Sequence, residues 1–151
     1  MNVFSGLRID LPIKYKDYFH AFCLTRLDGS VNSPEQSPFP RMVDMWFTAL
    51  CIAVKNGLDP IEKVSEKLYT AIECNVLDDG WRSNALTLLA ITHTGSIDVI
   101  AKPHDMLRIA NSYAIAGLPF LIEIIENRSG DSALDHLSEY LVELTEENSS
   151  N

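Results

Sequence analysis

The chain contains four histidines, a residue type that can bind metal ions or transfer protons. They are His20, His93, His104 and His136, and no two have the H-x-x-x-H spacing that places two imidazoles on one helix face. His93, His104 and Asp105 flank the same predicted break between helices, so a small enzyme with a composite site at these three residues is one hypothesis. The alternative is that they are ordinary surface or capping residues.

The cysteines Cys23, Cys51 and Cys74 are odd in number, far apart, and lack the paired spacing of a metal site. Cys23 and Cys51 lie in apolar runs, so we expect buried thiols of a reducing compartment instead of a disulfide framework. Burial raises the pKa of a thiol, and we therefore expect Cys51 to be inert. The sequence also lacks a G-x-S-x-G elbow and a glycine-rich phosphate loop. We predict no catalytic residue, no cofactor and no metal, and favour a protein that is not an enzyme.

The net charge of −9 is concentrated at the C-terminal end of the chain. From Glu123 to Asn151 there are eight acidic residues and one basic residue, Arg128. An acidic protein with scattered basic residues is poorly suited to bind nucleic-acid phosphates or an anionic membrane. A nucleic-acid-associated protein is therefore the weaker alternative. With no signal peptide and no long uncharged apolar run, we expect a cytoplasmic protein without a membrane span.

Apolar residues at intervals of three and four predict helices along most of the chain. Asp59 is expected to cap the third helix, with Glu62 completing a capping box, and Asp78 or Asp79 to cap the fourth. Gly117-Leu118-Pro119 is expected to end or kink a helix. The predicted helices cover residues 14–27, 41–56, 60–75, 80–92, 103–117, 119–127 and 132–146.

These elements predict an all-α fold, a single-domain bundle of about six or seven helices. The helical domain covers residues 1–147, and residues 148–151 form a frayed polar end. One short extended segment fits within Val3–Ile13, where apolar residues alternate loosely. The stretch 97–101 is either a strand or a helical turn, and residues 30–40 and 129–131 form a loop and a turn. The last helix is expected to pack on the body through a stripe formed by Leu134, Leu137, Tyr140, Leu141 and Leu144.

Two clusters are candidates for binding a partner. Trp81 and Arg82 lie at the start of a helix and are residue types enriched in binding hot spots. The structural alternative is that Trp81 belongs to the core and Arg82 to a solvated surface. Glu139 and Glu143 lie on the acidic face of the last helix, which is either a docking surface for a basic partner or simply a solvated face.

Two sequence stretches carry a resemblance. Pro38-Phe39-Pro40-Arg41-Met42-Val43-Asp44-Met45-Trp46, followed by Ala49-Leu50 and Asn56-Gly57, resembles small helical accessory proteins of bacterial DNA-modification and phage-defence gene clusters. Ile109-Ala110-Asn111-Ser112-Tyr113-Ala114 with Gly117-Leu118-Pro119 adds to it. The resemblance implies a helical fold and a role through a protein partner, and it brings no catalytic residues with it.

Taken together, these observations predict a non-catalytic helical protein, an interaction or regulatory subunit that acts in a complex. Its partner would be another protein or further copies of the same chain. Direct binding of nucleic acid is not expected, because the charge has the wrong sign.

Overall fold

A computed structural model describes residues 3–24, 33–77, 80–127 and 132–149. The described chain combines helices with a two-stranded antiparallel sheet, so the all-α prediction of six or seven helices is wrong. Three 3-10 helices, Ile13–Tyr15, Cys74–Leu77 and Ile97–Ala101, connect the larger elements. Those elements are, in chain order, β1 (Arg8–Pro12), α1 (Lys16–Phe22), α2 (Met42–Lys55), β2 (Leu68–Glu73), α3 (Trp81–Thr94), α4 (Pro103–Glu126) and α5 (Ala133–Ser149).

The packing of α2 against α4 forms the centre of the fold. Gly117 of α4 lies directly against the backbone of α2. A Cβ atom added at Gly117 would overlap the carbonyl oxygen of Ala49 and would lie 3.3 Å from the Cβ of Ala53. Only a glycine lets the two helices approach this closely.

Helix α4 continues through Gly117 and Pro119, so of the two predicted outcomes, an end or a kink, the helix end is wrong. A proline inside a helix removes one hydrogen bond and costs about 3 kcal/mol. The burial of apolar residues on both sides of Pro119 outweighs that cost. Those buried residues include Ile115, Leu118, Leu121, Ile122 and Ile125.

The sheet joins two segments that lie far apart in the sequence. Arg8 pairs with Glu73 and Pro12 with Leu68, with an irregularity between Ile9 and Asp10. β1 lies in the predicted extended segment Val3–Ile13, but β2 lies where a helix over Pro60–Asn75 was predicted. Helical spacing of apolar residues occurs there, yet β1 needs a partner for its backbone hydrogen bonds, and β2 provides it.

The segment before β2 has no regular secondary structure, so the predicted helix start with an Asp59 cap and a Glu62 capping box is also wrong. The segment is held instead by long-range backbone bonds. The Ile61 N–H donates to the Ser112 carbonyl of α4 at 3.0 Å, and the Ile13 N–H donates to the Lys67 carbonyl at 2.8 Å.

One side-chain amide connects three elements of the core. Asn111 of α4 accepts a hydrogen bond from the indole Nε1 of Trp46 at 3.0 Å. It also donates one through Nδ2 to the backbone carbonyl of Asp10 at 2.9 Å. Trp46 is fully buried, so the amide satisfies an indole N–H that cannot reach water. Asn111 therefore ties α2 and β1 to α4.

The remaining helices pack around this centre. α1 is shorter than predicted, because after Phe22 the chain turns into an isolated bridge between Cys23 and Phe39. Residues 25–27 of the predicted helix and 30–32 of the predicted loop lie outside the described residues. The stretch Ile97–Ala101 is a helical turn, not a strand. α2, predicted over 41–56, runs from Met42 to Lys55, as expected from its apolar residues.

α5 is attached mainly through its first turns. Ala133 and Leu137 are buried and Tyr140 is half-buried, while the Leu134 N–H donates to the Glu35 carbonyl at 3.1 Å. Leu134 and Leu141 are exposed, so the prediction that they hold the helix to the body is wrong. The Leu144 side chain, the 129–131 turn and residues 150 and 151 lie outside the described parts. The helix extends to Ser149 and so includes the first two residues of the predicted frayed end, 148–151.

Helix α4 is the one described helix that is long and apolar enough to cross a membrane. Of its most apolar stretch, 61% is buried inside the fold. The central helix of a soluble protein has the same length and composition, so this property does not indicate a membrane.

Candidate partner-binding surface

The alternative prediction placed Trp81 in the core and Arg82 on a solvated surface. The structure shows the opposite for both residues. Trp81, the first residue of α3, is 56% exposed, whereas Arg82 is buried. α3 starts immediately after Gly80, whose φ of +73° lies in the left-handed region that favours glycine. The turn directs the indole outward and the guanidinium toward α2.

The exposed indole is supported by two neighbours. The Arg82 guanidinium carbon lies 4.4 Å from the centroid of the Trp81 ring. The Phe47 ring of α2 meets the indole edge-to-face, with the ring centroids 5.1 Å apart. Such contacts stabilise by about 0.5–1.5 kcal/mol each and restrict the orientation of the ring. Trp81 is therefore a fixed aromatic side chain and not a freely rotating one.

Asp44 holds Arg82 in this position. Its carboxylate forms an ion pair with the Arg82 guanidinium and accepts a hydrogen bond from the backbone N–H of Arg41 at 3.0 Å, which caps α2. The side chains of Asp44 and Arg82 are only 15% and 11% exposed. One carboxylate therefore links the start of α2 to the start of α3, and no motif or spacing predicted this pair.

The outer surface of α3 carries almost no charge. Residues 83–97 include no Asp, Glu, Lys or Arg, although 33 of the 151 residues of the chain are charged. The other long uncharged stretch, 109–122, lies mostly buried in α4. Along α3 only Arg82, Leu86 and Ala90 are buried, one residue per turn. This pattern places a helix at the edge of the fold with most of its circumference open.

Several apolar side chains remain exposed on this edge. Leu88, seven residues after Trp81 and thus on the same helix face, is 65% exposed. The turn Ile97–Ala101 packs against α3 and adds two exposed isoleucines. We call the exposed side chains of Trp81, Leu88, Ile97 and Ile100 the α3 surface. Aromatic residues combined with few charges are typical of the centre of protein interfaces.

Glu139 and Glu143, the second pair of candidates, lie on a different element. Both are exposed on α5, together with Asp135 and Glu146, and α5 contains no Lys or Arg. Trp81 and Arg82 contact α2, whereas α5 packs on α4 and on Glu35. The two candidate clusters therefore lie on different helices and contact different parts of the fold. Glutamates four residues apart repel each other mildly, so the acidic face stays open to water or to a basic partner.

The residues of the composite-site hypothesis have different neighbours. His93 accepts or donates a hydrogen bond at Nδ1 with the Tyr113 hydroxyl at 3.0 Å, and its Nε2 lies 3.7 Å from a carboxylate oxygen of Glu62. Asp105 faces Arg108 of its own helix at 3.8 Å. His104 lines a groove that Glu62 also lines, and His93 is not among the lining residues of that groove. Among the described residues, no three His, Cys, Asp or Glu side chains are grouped closely enough to hold a metal ion.

The cysteines offer no activated nucleophile. Cys23 and Cys74 are fully buried, and burial raises the pKa of each thiol to about 12. Cys51 is exposed, so the prediction that it is buried is wrong. Partial desolvation nevertheless raises the pKa of the Cys51 thiol. An attacking thiolate requires a lowered pKa, and all three shifts have the opposite sign.

Comparison with known proteins found no matching family model, no similar curated protein and no similar solved structure. The resemblance to accessory proteins of DNA-modification and phage-defence clusters therefore stays a prediction. The function has to be argued from the surfaces and side chains described above.

Proposed function

We propose that this chain is a non-catalytic interaction subunit that pairs with a second copy of itself through the α3 surface. One observation carries the proposal: α3, in which residues 83–94 are uncharged, lies at the edge of the fold with an oriented Trp81 and an exposed Leu88, instead of being buried in the core. Burial of these side chains from water would supply the driving force for association.

The distribution of charge favours a second copy as the partner. Two copies of a chain with net charge −9 repel each other wherever their acidic faces meet. In a two-fold dimer the same patch faces itself, so an uncharged patch brings no like charges together. The four side chains of the α3 surface are uncharged, although the exposed Asp98 lies between Ile97 and Ile100, whereas α5 carries several exposed glutamates. The resemblance to accessory proteins agrees with a subunit that works in a complex.

Analytical ultracentrifugation at micromolar to high-micromolar concentration tests the proposal. We expect the wild-type chain to sediment as a dimer, and Trp81→Ala and Leu88→Glu to sediment as monomers with unchanged helical circular dichroism. Val142→Glu is the matched control, because it places the same charge on an apolar side chain of α5 that is 56% exposed. A monomeric wild-type chain, or a dimer broken by Val142→Glu and not by Leu88→Glu, would overturn the proposal.

Salt dependence distinguishes this interface from an acidic docking surface. Salt screens the repulsion between two acidic copies, so dimerisation through the α3 surface should strengthen as ionic strength rises. Binding of a basic partner to Glu139 and Glu143 should weaken under the same change. Association that weakens with added salt would therefore contradict the α3 surface as the contact.

A further inference from the structure

A groove of about 700 Å³ lies between β1, the segment 61–64 and α4. This volume is within the range of pockets that bind small organic molecules. Its buried lining side chains are mainly apolar, with Ile9, Leu107 and Ile115 each less than a tenth exposed. The groove therefore has an apolar lining that a hydrocarbon or aromatic group could cover.

Basic side chains gather around this apolar lining. Arg8, Lys63 and Arg108 all line the groove, in a chain that has 12 basic and 21 acidic residues. Within the described ranges, neither Arg8 nor Lys63 takes part in an ion pair, and Arg108 has only the long contact with Asp105 at 3.8 Å. The groove thus holds cations whose charge is not neutralised by close partners.

The two carboxylates of the groove already have other contacts. Asp10 accepts a hydrogen bond from the Thr70 hydroxyl at 2.8 Å, and Glu62 lies beside His93. These contacts leave both carboxylates charged, so the groove is lined by three cations and two carboxylates. The balance is positive, opposite to that of the whole chain, and it favours an anionic ligand.

Both walls of the groove are fixed to α4. Asn111 donates to the Asp10 carbonyl of β1, and the Ser112 carbonyl accepts from the Ile61 N–H of the opposite wall. A groove with fixed walls does not have to be ordered when a ligand binds, and this lowers the cost of binding.

We propose that this groove binds a small amphipathic anion, a molecule with one carboxylate or similar anionic group attached to a hydrocarbon or aromatic body. The anionic group lies among Arg8, Lys63 and Arg108, and the apolar body covers Ile9, Leu107 and Ile115. The site is independent of the α3 surface, because none of its lining residues belongs to that surface.

Titration with matched ligands tests the proposal directly. Octanoate and octylammonium share one apolar chain and carry opposite charges, and inorganic phosphate carries charge without an apolar body. We expect octanoate to shift the backbone amide NMR signals of Arg8, Ile61 and Lys63, and octylammonium and phosphate to leave them unchanged. If octylammonium binds as well as octanoate, the ligand does not have to be an anion. If phosphate binds as well, the ligand does not need an apolar body. If octanoate shifts none of these signals, the whole proposal is wrong.

Variants locate the site. Arg8→Gln combined with Lys63→Gln should weaken octanoate binding roughly tenfold or more, since charge-assisted hydrogen bonds are lost. Lys55→Gln combined with Lys102→Gln makes the same change in net charge outside the groove and should leave binding unchanged. Ile61→Glu, at a side chain 42% exposed, adds a repelling charge to the wall and should also weaken binding. Equal affinities for the groove variants and the control pair would overturn the proposal.

Discussion

The guanidinium of Arg82 lies between the exposed indole of Trp81 and the carboxylate of Asp44, so that an ion pair inside the fold fixes an aromatic ring on its surface. This arrangement gives Arg82 a positioning role. A partner would meet the ring of Trp81, and Arg82 would act by holding that ring in place.

Breaking the ion pair between Arg82 and Asp44 should destabilise the protein more than breaking an ion pair on the surface would. Removing one partner of a buried ion pair costs about 3–5 kcal/mol, and we expect Arg82→Met to approach the lower value because Asp44 keeps Arg41 nearby. A urea unfolding series with Arg82→Met, Asp44→Asn and the double variant should give a favourable coupling energy. Arg41→Ala is the control and should cost less than about 1 kcal/mol, since its side chain is half-exposed. If the losses in unfolding free energy of Arg82→Met and Asp44→Asn simply add up in the double variant, the two side chains do not stabilise each other.

Gly117→Ala should be strongly destabilising, although alanine favours helices. The added methyl would overlap the Ala49 carbonyl oxygen, so α2 and α4 would have to move apart. We expect a loss of about 3 kcal/mol or more, against a gain of about 1 kcal/mol in helix propensity. Thermal and urea unfolding measure the difference. Because the clash is with backbone, adding Ala53→Gly should not restore stability, and a full rescue would refute this account.

Asn111→Leu should cost about 2–4 kcal/mol of unfolding free energy. It leaves the buried Trp46 indole N–H without its acceptor, which costs about 1–3 kcal/mol, and it also removes the exposed hydrogen bond to the Asp10 carbonyl. Asn84→Leu on the exposed side of α3 is the matched control. In NMR, the indole N–H of Trp46 should exchange slowly in the wild type and faster in Asn111→Leu, which removes its acceptor. Equal exchange rates would argue against the amide as the link.

The buried thiols should make the fold sensitive to alkaline pH. Burial raises the pKa of Cys23 and Cys74 from 9.0 to about 12, so between these values the folded state keeps protons that the unfolded state releases. Stability contributed by the thiols is complete below pH 9 and is lost as pH rises toward 12. Cys23→Ala and Cys74→Ala should each flatten the decline in unfolding free energy over this range, and Cys51→Ala should change it less. A steeper decline in either buried variant would contradict the assignment.

The sequence predicted the elements that depend on local patterns and missed those that depend on distant ones. α2 is surrounded by apolar residues, and a helix forms where its pattern indicated one. β2 has a helical spacing of apolar residues, but its structure is decided by β1, some 60 residues earlier. Pro119 is a helix breaker by local rules, and only the packing of α4 against α2 shows why the helix continues.

The candidate site shows the same limit. Trp81 and Arg82 were identified by residue type, but the exposure of Trp81 and the burial of Arg82 depend on Asp44 and Phe47 on another helix. The groove cations Arg8, Lys63 and Arg108 are spread over 101 positions of sequence, and no spacing rule could have grouped them. The uncharged stretch 83–97 is a second signal of the α3 surface in the sequence, beside the residue type of Trp81.

The pairing of β1 with β2 also sets an order in which the chain can fold. The hydrogen bonds between residues 8–12 and 68–73 close a loop that contains α1 and α2, and contacts between such distant segments form slowly. During synthesis β1 is made long before β2, so its backbone groups have no strand to pair with until residue 73 has emerged. The helices between them can form in the meantime, and β1 is therefore among the last parts of the fold to become protected from exchange with water.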